Sequence, residues 1–518
     1  MPPFDAARAY RSLPRSPDLG HLRDQAKSLK KRCDAADASA IAFVDFHRGE
    51  TASAVKLADA QFAVARSYGF KSWARLKAFV EAQSRSPEER GALLLKSLFY
   101  DNYALLRELY ERRESLPASD FFVAAALGNV AVVESMLAAD AAWASRVGGP
   151  MQTQAITYAA YARFGQIDDS YSLRQQRVVT LLLAHGADPN SFVTAESGGR
   201  LSALYGCCRQ PGNPAVAKLL LDAGASTDDG ESLYHASELS DTRCLELLFA
   251  AGVPEKDREF CIRRVLDSEN ASALAVYLRN GTDPNHLDWA LFRNRSLRII
   301  DLLVEHGADL DRQTDDYWLL ERIRGLTPVQ VAERAGAVDA VSYLLKKGAT
   351  DNRTPRDRLI GACARADEDA AHRILREHPN VIQTFTARDH GNIATCARQS
   401  RLKSVQLMLD VGFDIEARTD DLDATALLYA ATNGAAPMLK LLLAHGARID
   451  VKHKYEGSPL GSAVYCAAAF RDETGDYAEA VRLLLEAGDK ATDDDLKWAV
   501  DHDLDDIADV LKRYGASL

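Results

Sequence analysis

The chain has 518 residues, 47% hydrophobic and 26% charged, with 31 Gly and 17 Pro. This balance excludes a wholly disordered, collagen-like or disulfide-scaffold polypeptide and supplies apolar side chain for a large core. Lys plus Arg number 63 against 74 Asp plus Glu, and the net charge of −11 argues against polyanion binding by the whole surface while leaving a local basic patch open.

Residues 1–18, with Pro2, Pro3, Pro14 and Pro17, read as a flexible arm. The opening Met1-Pro2-Pro3-Phe4-Asp5 has no basic start followed by an apolar core, and no long uncharged apolar run follows downstream, so the expectation is a cytoplasmic protein without a membrane anchor. Residues 19–90 read as a module of three or four helices, with Leu22, Ala26, Leu29 and Cys33 on one face, then Leu57, Ala60, Phe62 and Ala65. After a Tyr68-Gly69-Phe70 break come Trp73, Leu76, Phe79 and Val80. Residues 1–90 hold 16 basic and 11 acidic side chains, so the start is basic and the remainder acidic. A helix, a glycine turn and a helix bearing Lys71, Arg75 and Lys77 could enter a major groove. The plainer reading is a capping bundle with a solvated charged face, and nucleic acid is not the favoured partner.

From about residue 92 a pattern repeats: a small-residue helix, then a leucine-rich helix, then a glycine. Leu181-Leu182-Leu183-Ala184-His185-Gly186-Ala187-Asp188 recurs as Leu219 to Ala225, Leu302 to Asp309 and Leu441 to Ala447. Turn glycines stand at 186, 224, 252, 281, 307, 348, 412, 446, 488 and 515, with Pro379 filling the one gap, and the mean step is about 33 residues. Glycine belongs there because a left-handed helix terminus penalises any Cβ. Upstream, Ala159-Ala160, Cys207-Cys208, Ala236-Ser237 and Ala430-Ala431 let neighbouring helices approach closely. Leu94 to Pro117 and Phe121 to Leu137 keep the two-helix pattern without its glycine, and the acidic final pair, 494–500 and 507–511, reads as a terminal cap.

This pattern resembles the ankyrin-repeat family, most closely at Leu326-Thr327-Pro328-Val329 with Ala332 and Gly336, at Ala424-Thr425-Ala426-Leu427 with Gly434, and at Gly457-Ser458-Pro459-Leu460. The resemblance implies an all-α ankyrin-repeat solenoid of about a dozen helix pairs behind the small N-terminal helical domain. Repeats would span 91–490 and a capping repeat 491–518. The family's histidine slot holds Tyr205, Tyr234, Gln330 and Leu428 instead, so the hydrogen bonds it makes must be replaced or absent. The segment Leu57 to Leu76 is similar to amino-terminal helices of bacterial ankyrin-type proteins.

No phosphate-binding loop, nucleophile elbow or zinc-protease motif occurs, so no catalytic or metal-binding residue and no cofactor is assigned. The adjacent carboxylates Asp168-Asp169, Asp315-Asp316 and Asp420-Asp421 read as solvated turns, and His185, His306 and His445 as helix-end caps. The eight cysteines read as core thiols.

In the ankyrin family, inner helices and the turn fingers between repeats meet partners. Tyr158, Tyr161, Tyr205, Tyr234, His235, Trp289, Tyr429 and Tyr465 fall on predicted inner helices, where polar-tipped rings serve either recognition or packing. Phe192, Arg418, Lys452, His453 and Tyr455 fall on fingers. Excursions at 163–176, 311–325 (holding Tyr317 and Trp318) and 470–477 read as binding loops. The expected function is a non-catalytic scaffold for another protein or a peptide segment. Alternatives are an enzyme or small-molecule site lined by Tyr205, Tyr234, His235, Trp289 and Tyr429, and nucleic-acid binding by the N-terminal helices. Nothing in the sequence sets an oligomeric state.

Overall fold

The computed structural model describes residues 11, 13–14, 17–48, 55–70, 72–83, 85–100, 103–195, 198–314, 322–419, 421–469, 475–502 and 504–517. Their regular secondary structure is helical, apart from two short antiparallel hairpins that pair Val147–Gly148 with Thr153–Gln154 and Phe192–Thr194 with Arg200–Ser202. Two compact units divide between Asp257 and Arg258.

The first unit opens with four helices, Leu19–Asp34, Ala38–Arg48, Leu57–Ser67 and Trp73–Gln83. They enclose a core of their own from the anticipated Leu22, Ala26, Leu29, Ala60, Leu76, Phe79 and Val80. Leu57 is exposed and Phe62 half-buried, so both leave the expected core list. Helix pairs follow: Pro87–Ser97 with Tyr103–Glu111, Phe121–Ala126 with Val130–Ala139, Ala155–Tyr161 with Tyr171–Ala184, Ala203–Cys208 with Pro214–Asp222, and Ser232–Ala236 with Arg243–Ala251. Within this unit inner helices pack on inner helices and outer on outer. The excursion expected at 163–176 is shorter than its sequence implied. Tyr171 already starts the outer helix, buried, with its hydroxyl on the Ala126 carbonyl at 2.6 Å.

The second unit continues the pattern, from Leu287–Phe292 with Leu297–Glu305 and Pro328–Arg334 with Val338–Lys346 through to the last pair, Asp493–Asp501 with Asp505–Arg513. All eight cysteines are buried thiols.

Both periodic signals act physically as anticipated. Every turn glycine named above has a positive φ, from +78° at Gly281 to +104° at Gly348 and Gly488. The N–H groups of Ala187, Ala225, Ala308 and Ala447 reach back five residues to Leu182, Leu220, Leu303 and Leu442, at 2.9 to 3.1 Å, and close the helix ends. Nδ1 of His185, His306 and His445 lies 2.8, 2.8 and 2.9 Å from the carbonyl four residues earlier. A carbonyl only accepts, so that nitrogen carries the proton. On the inner side packing is so close that a Cβ at Gly206 would enter the Tyr161 ring, and one at Gly361 would meet the Glu333 carbonyl.

A buried ion network spans three successive repeats of the second unit. Arg334 donates from Nε to Asp357 Oδ1 at 2.5 Å and from Nη1 to Asp389 Oδ1 at 2.7 Å. All three side chains are at most 8% exposed. Each carboxylate also closes a capping box: Asp357 Oδ2 accepts from the Thr354 N–H and hydroxyl, and Asp389 Oδ2 from those of Thr386. Gln330, in the histidine slot, accepts from Thr327 N–H at 3.1 Å and donates to Asp357 at 3.2 Å, so a capping box replaces the missing histidine there. Burial pushes the Asp357 and Asp389 carboxyls up, but Arg334 and the threonine hydrogen bonds outweigh it, and both titrate below the ordinary aspartate value.

Arg334→Met strands two buried carboxylates and should cost about 3–5 kcal/mol at neutral pH in urea unfolding. In the parent the two depressed carboxyls stabilise fully above the unfolded aspartate value of about 4, and that contribution is lost as pH falls through their folded values. In the variant Asp389 keeps Arg356 at 3.3 Å and both keep their threonine hydrogen bonds, but burial then outweighs these and the carboxyls favour the protonated form. The stability gap should therefore narrow on acidification, and a pH-independent gap would reject the network as its cause.

Candidate interaction surface

In the first unit the surface is built from one finger and two inner helices. The finger is the hairpin of Phe192–Thr194 and Arg200–Ser202, which buries Val193 and turns Phe192 outward, 37% exposed, with the Arg200 guanidinium 4.5 Å over its ring. Its base is fastened by buried hydroxyls: Thr153 Oγ1 donates to the Phe192 carbonyl at 2.7 Å, and Thr157 Oγ1 to Ser191 Oγ at 2.8 Å. Ser202 ends the finger and caps the next helix, accepting from the Tyr205 N–H at 2.9 Å and donating to Asp229 at 2.5 Å. Asp229 takes the N–H and hydroxyl of Ser232, so two successive finger turns are locked together.

Behind this frame lies a run of rings. Centroids of Tyr161 and Tyr205 are 6.0 Å apart, those of Tyr205 and His235 4.9 Å, and those of His235 and Tyr234 5.1 Å. Tyr161 is buried, and the other three are half-buried with part of each ring at the surface. Glu238 and Glu231 flank the His235 nitrogens at 3.0 and 3.4 Å. Rings that present an edge or a polar tip from a fixed backbone lose little entropy on contact.

Tyr158 does not belong to this surface. It is buried, its hydroxyl donates to the Gly148 carbonyl at 3.0 Å and accepts from the Met151 N–H at 2.9 Å, and burial pushes its pKa up to about 12. It holds the first hairpin against its helix. Asp168, of the first carboxylate pair, accepts from the Tyr110 hydroxyl at 2.7 Å and from Arg174 at 3.1 Å. The Ser170 hydroxyl at 2.6 Å, with those two partners, drives its carboxyl far below the usual range and keeps it an anion. A fixed anion of this kind is a poor proton carrier.

In the second unit Trp289 is half-buried, its Nε1 donating to Asp267 at 3.1 Å and Arg293 lying 4.7 Å over its ring. Arg418 acts as a brace between fingers: Nη1 reaches the Asp423 carbonyl at 2.6 Å and the Lys452 carbonyl at 2.9 Å. Lys452 is exposed beside Glu456, and His453 Nδ1 accepts from the Tyr455 N–H at 3.1 Å. Tyr455 stands outward, 71% exposed, under the Lys454 ammonium at 5.2 Å. Tyr429 is a correction like Tyr158: it is buried, shares a 2.9 Å hydrogen bond with Thr419 Oγ1 and donates to Asp421 at 3.2 Å. Trp289 and Tyr429 thus fall in a different compact unit from Tyr205, Tyr234 and His235, and Tyr429 is not surface.

One feature escaped the sequence reading as a group. Tyr465, 52% exposed, stacks on Trp498 with centroids 5.2 Å apart, and Trp498 stacks on His502 at 3.9 Å. The i, i+4 spacing of Trp498 and His502 was its available signal. Arg75 and Lys77 are exposed on the helix Trp73–Gln83, but two residues apart they point to different sides of it. Lys71, Asp315, Asp316, Tyr317, Trp318 and Asp420 lie outside the described residues. Among the described residues no group of His, Cys, Asp and Glu is arranged to hold a metal ion, and no helix is long and apolar enough to cross a membrane.

Stacked helix pairs, glycine-closed outer helices and fingers at this period point to one family, and residues 392–495 match its model, ankyrin repeats in three copies. This segment consists of ankyrin repeats. The repeat chain is 25% identical over 274 residues to the ankyrin repeat and KH domain-containing protein mask-1 of Caenorhabditis elegans, covering 52% of this chain and 9% of that protein. It is 26% identical over 176 residues to a putative ankyrin repeat protein of fowlpox virus, 33% of each chain. It thus spans a third or less of the curated relatives it matches. Among solved structures, an ankyrin repeat domain from Acinetobacter baumannii aligns at 20% identity with a TM-score of 0.25, over 45% of this chain and all of that one.

Tyr158→Phe leaves the Met151 N–H and the Gly148 carbonyl unpaired and should destabilise by about 1–3 kcal/mol in chemical denaturation. Tyr455→Ser, at an exposed finger tip, should stay within about 0.5 kcal/mol. Equal costs at the two positions would overturn the division into packing and surface rings.

Proposed function

We propose that this chain is a non-catalytic scaffold whose inner helices and fingers bind another protein or a peptide segment. Ankyrin repeats generally mediate protein–protein interaction, and this reading extends that role to particular residues here: Phe192 with Arg200, Tyr205, Tyr234 and His235 in the first unit, and Trp289, Arg418, Lys452, His453 and Tyr455 in the second. Tyr317 and Trp318 keep the place in the proposal that their excursion gives them.

The observation that carries the reading is the way successive repeats are tied at the finger base. Ser202 and Asp229 fix one turn to the next, so Phe192, Tyr205, Tyr234 and His235 are presented together by backbone that is already ordered. A binding surface prepared in this way spends little free energy on ordering. Free thiols throughout suit a reducing compartment, which supports cytoplasmic residence.

The test is affinity capture from the source cell with the immobilised full chain. Replacing Phe192, Arg200 and Tyr455 by Ser, Gln and Ser should remove the captured protein while the melting temperature stays within about 2 °C. Capture at the parental level by the triple variant would reject the finger surface.

A further inference from the structure

Two neighbouring inner helices of the second unit carry a row of rings that the surface described above does not use. Pro459–Ala469 and Asp493–Asp501 pack on one another. Tyr465 of the first, 52% exposed, stacks on Trp498 of the second with centroids 5.2 Å and planes 30° apart. The Trp498 indole stacks in turn on His502, at 3.9 Å and 25°. His502 Nδ1 lies 2.9 Å from the Trp498 carbonyl, which holds the imidazole along the helix. Three rings thus stand in a row across two repeats, Trp498 half-buried and Tyr465 and His502 exposed.

The charge around this row has one sign. Residues 487–518 hold nine Asp against four Lys or Arg. At three- and four-residue spacing, Asp494, Asp495 and Asp501 share the side of their helix that carries Trp498. Among the described residues none of these three carboxylates has an ion-pair partner, whereas Glu333, Asp357 and Asp389 on earlier inner helices are all gripped by arginine. Asp495 caps its own helix through Oδ2, which accepts from the Thr492 N–H and hydroxyl. Across from it Gly461 carries no side chain to cover the carboxylate, whose Oδ1 would lie 3.9 Å from a Cβ there. A polar face that only has to stay wet accounts for the carboxylates. It does not account for a tyrosine and a tryptophan set among them, because ring surface left in water is unfavourable for the chain alone.

We propose that this row of rings binds an arginine-bearing segment of another protein. A guanidinium is planar, so it lies flat on an aromatic face, where the ring quadrupole attracts it, and its N–H groups reach sideways to carboxylates. Tyr465 offers the open ring, and Asp494 and Asp501 offer acceptors whose charge no cation of this chain answers. A lysine ammonium meets the charge but does not stack. Nucleic-acid bases stack, but the carboxylates repel the phosphates that come with them. The inference rests on the scaffold reading for the partner's being a protein, and deepens it by naming the partner's chemistry at residues outside the finger set.

The full chain should be titrated, by fluorescence anisotropy at low salt, against a labelled peptide of alternating glycine and arginine, and against the same peptide with lysine or with neutral citrulline in place of arginine. The arginine peptide should bind saturably, the lysine peptide about fivefold more weakly or worse, and the citrulline peptide not at all. Tyr465→Ser should weaken arginine binding by about fivefold or more. Asp494→Asn with Asp501→Asn, which breaks no ion pair, should do the same, and its effect should shrink as salt is raised. The circular dichroism melt should stay unchanged in both variants; if Tyr465→Ser shifts it, the asparagine pair decides. The chain carrying Phe192→Ser, Arg200→Gln and Tyr455→Ser should bind the peptide as the parent does whatever becomes of its captured protein, so each reading can fail by itself. No saturable binding at millimolar peptide, equal binding of the lysine and arginine peptides, parental binding by the asparagine pair, or tighter binding of a single-stranded oligonucleotide would overturn the proposal.

Discussion

The separation between neighbouring inner helices is the constraint from which the rest of this structure follows. At Gly206 and Gly361 the preceding repeat comes so close that a single methyl would collide with it, and Ala159, Ala160, Cys207, Ala430 and Ala431 are all buried. Once small residues set that distance, the leucines of the outer helices fill the space between those helices, which pack on one another in turn. The glycines at their ends then return the chain to the next finger within two residues. Stability in each unit is thus a chain of neighbour contacts, and every surface feature inherits its position from the repeat beneath it.

Polar groups enter this scheme where the family's usual histidine is missing. In the second unit Arg334 reaches over two following repeats to carboxylates that are already capping their own helices. The burial cost of three charges is met by geometry: each carboxylate oxygen is matched by a guanidinium, an amide or a hydroxyl. In the first unit the finger turns carry the same load through Ser202, Asp229 and Ser232. Both solutions join repeat to repeat through directional bonds, which fixes angle as well as distance and so keeps neighbouring rings in register.

How much of this was legible in the sequence depends on the range of the interaction involved. Gly186, Gly224 and Gly307 announced their helix ends because a left-handed residue is a local requirement that few side chains meet. His185, His306 and His445 followed from the same local geometry. For Tyr158 and Tyr429 the slot favours packing over contact without settling either, because the same slot serves both. What decided between them was a hairpin carbonyl ten residues before Tyr158 and a threonine ten residues before Tyr429. The excursion at 163–176 shrank because Tyr171 found the Ala126 carbonyl 45 residues away.

Under the proposed function, the same stacking lets recognition and stability share side chains without conflict. Tyr205 touches Tyr161 beneath it and His235 beside it, yet part of its ring remains at the surface. Its buried face keeps the repeats aligned, and its open edge is available to a partner at no further cost in order. The Arg209 guanidinium lies beside both rings, 5.6 Å from the Tyr161 centroid and 5.9 Å from that of Tyr205, and adds to their packing.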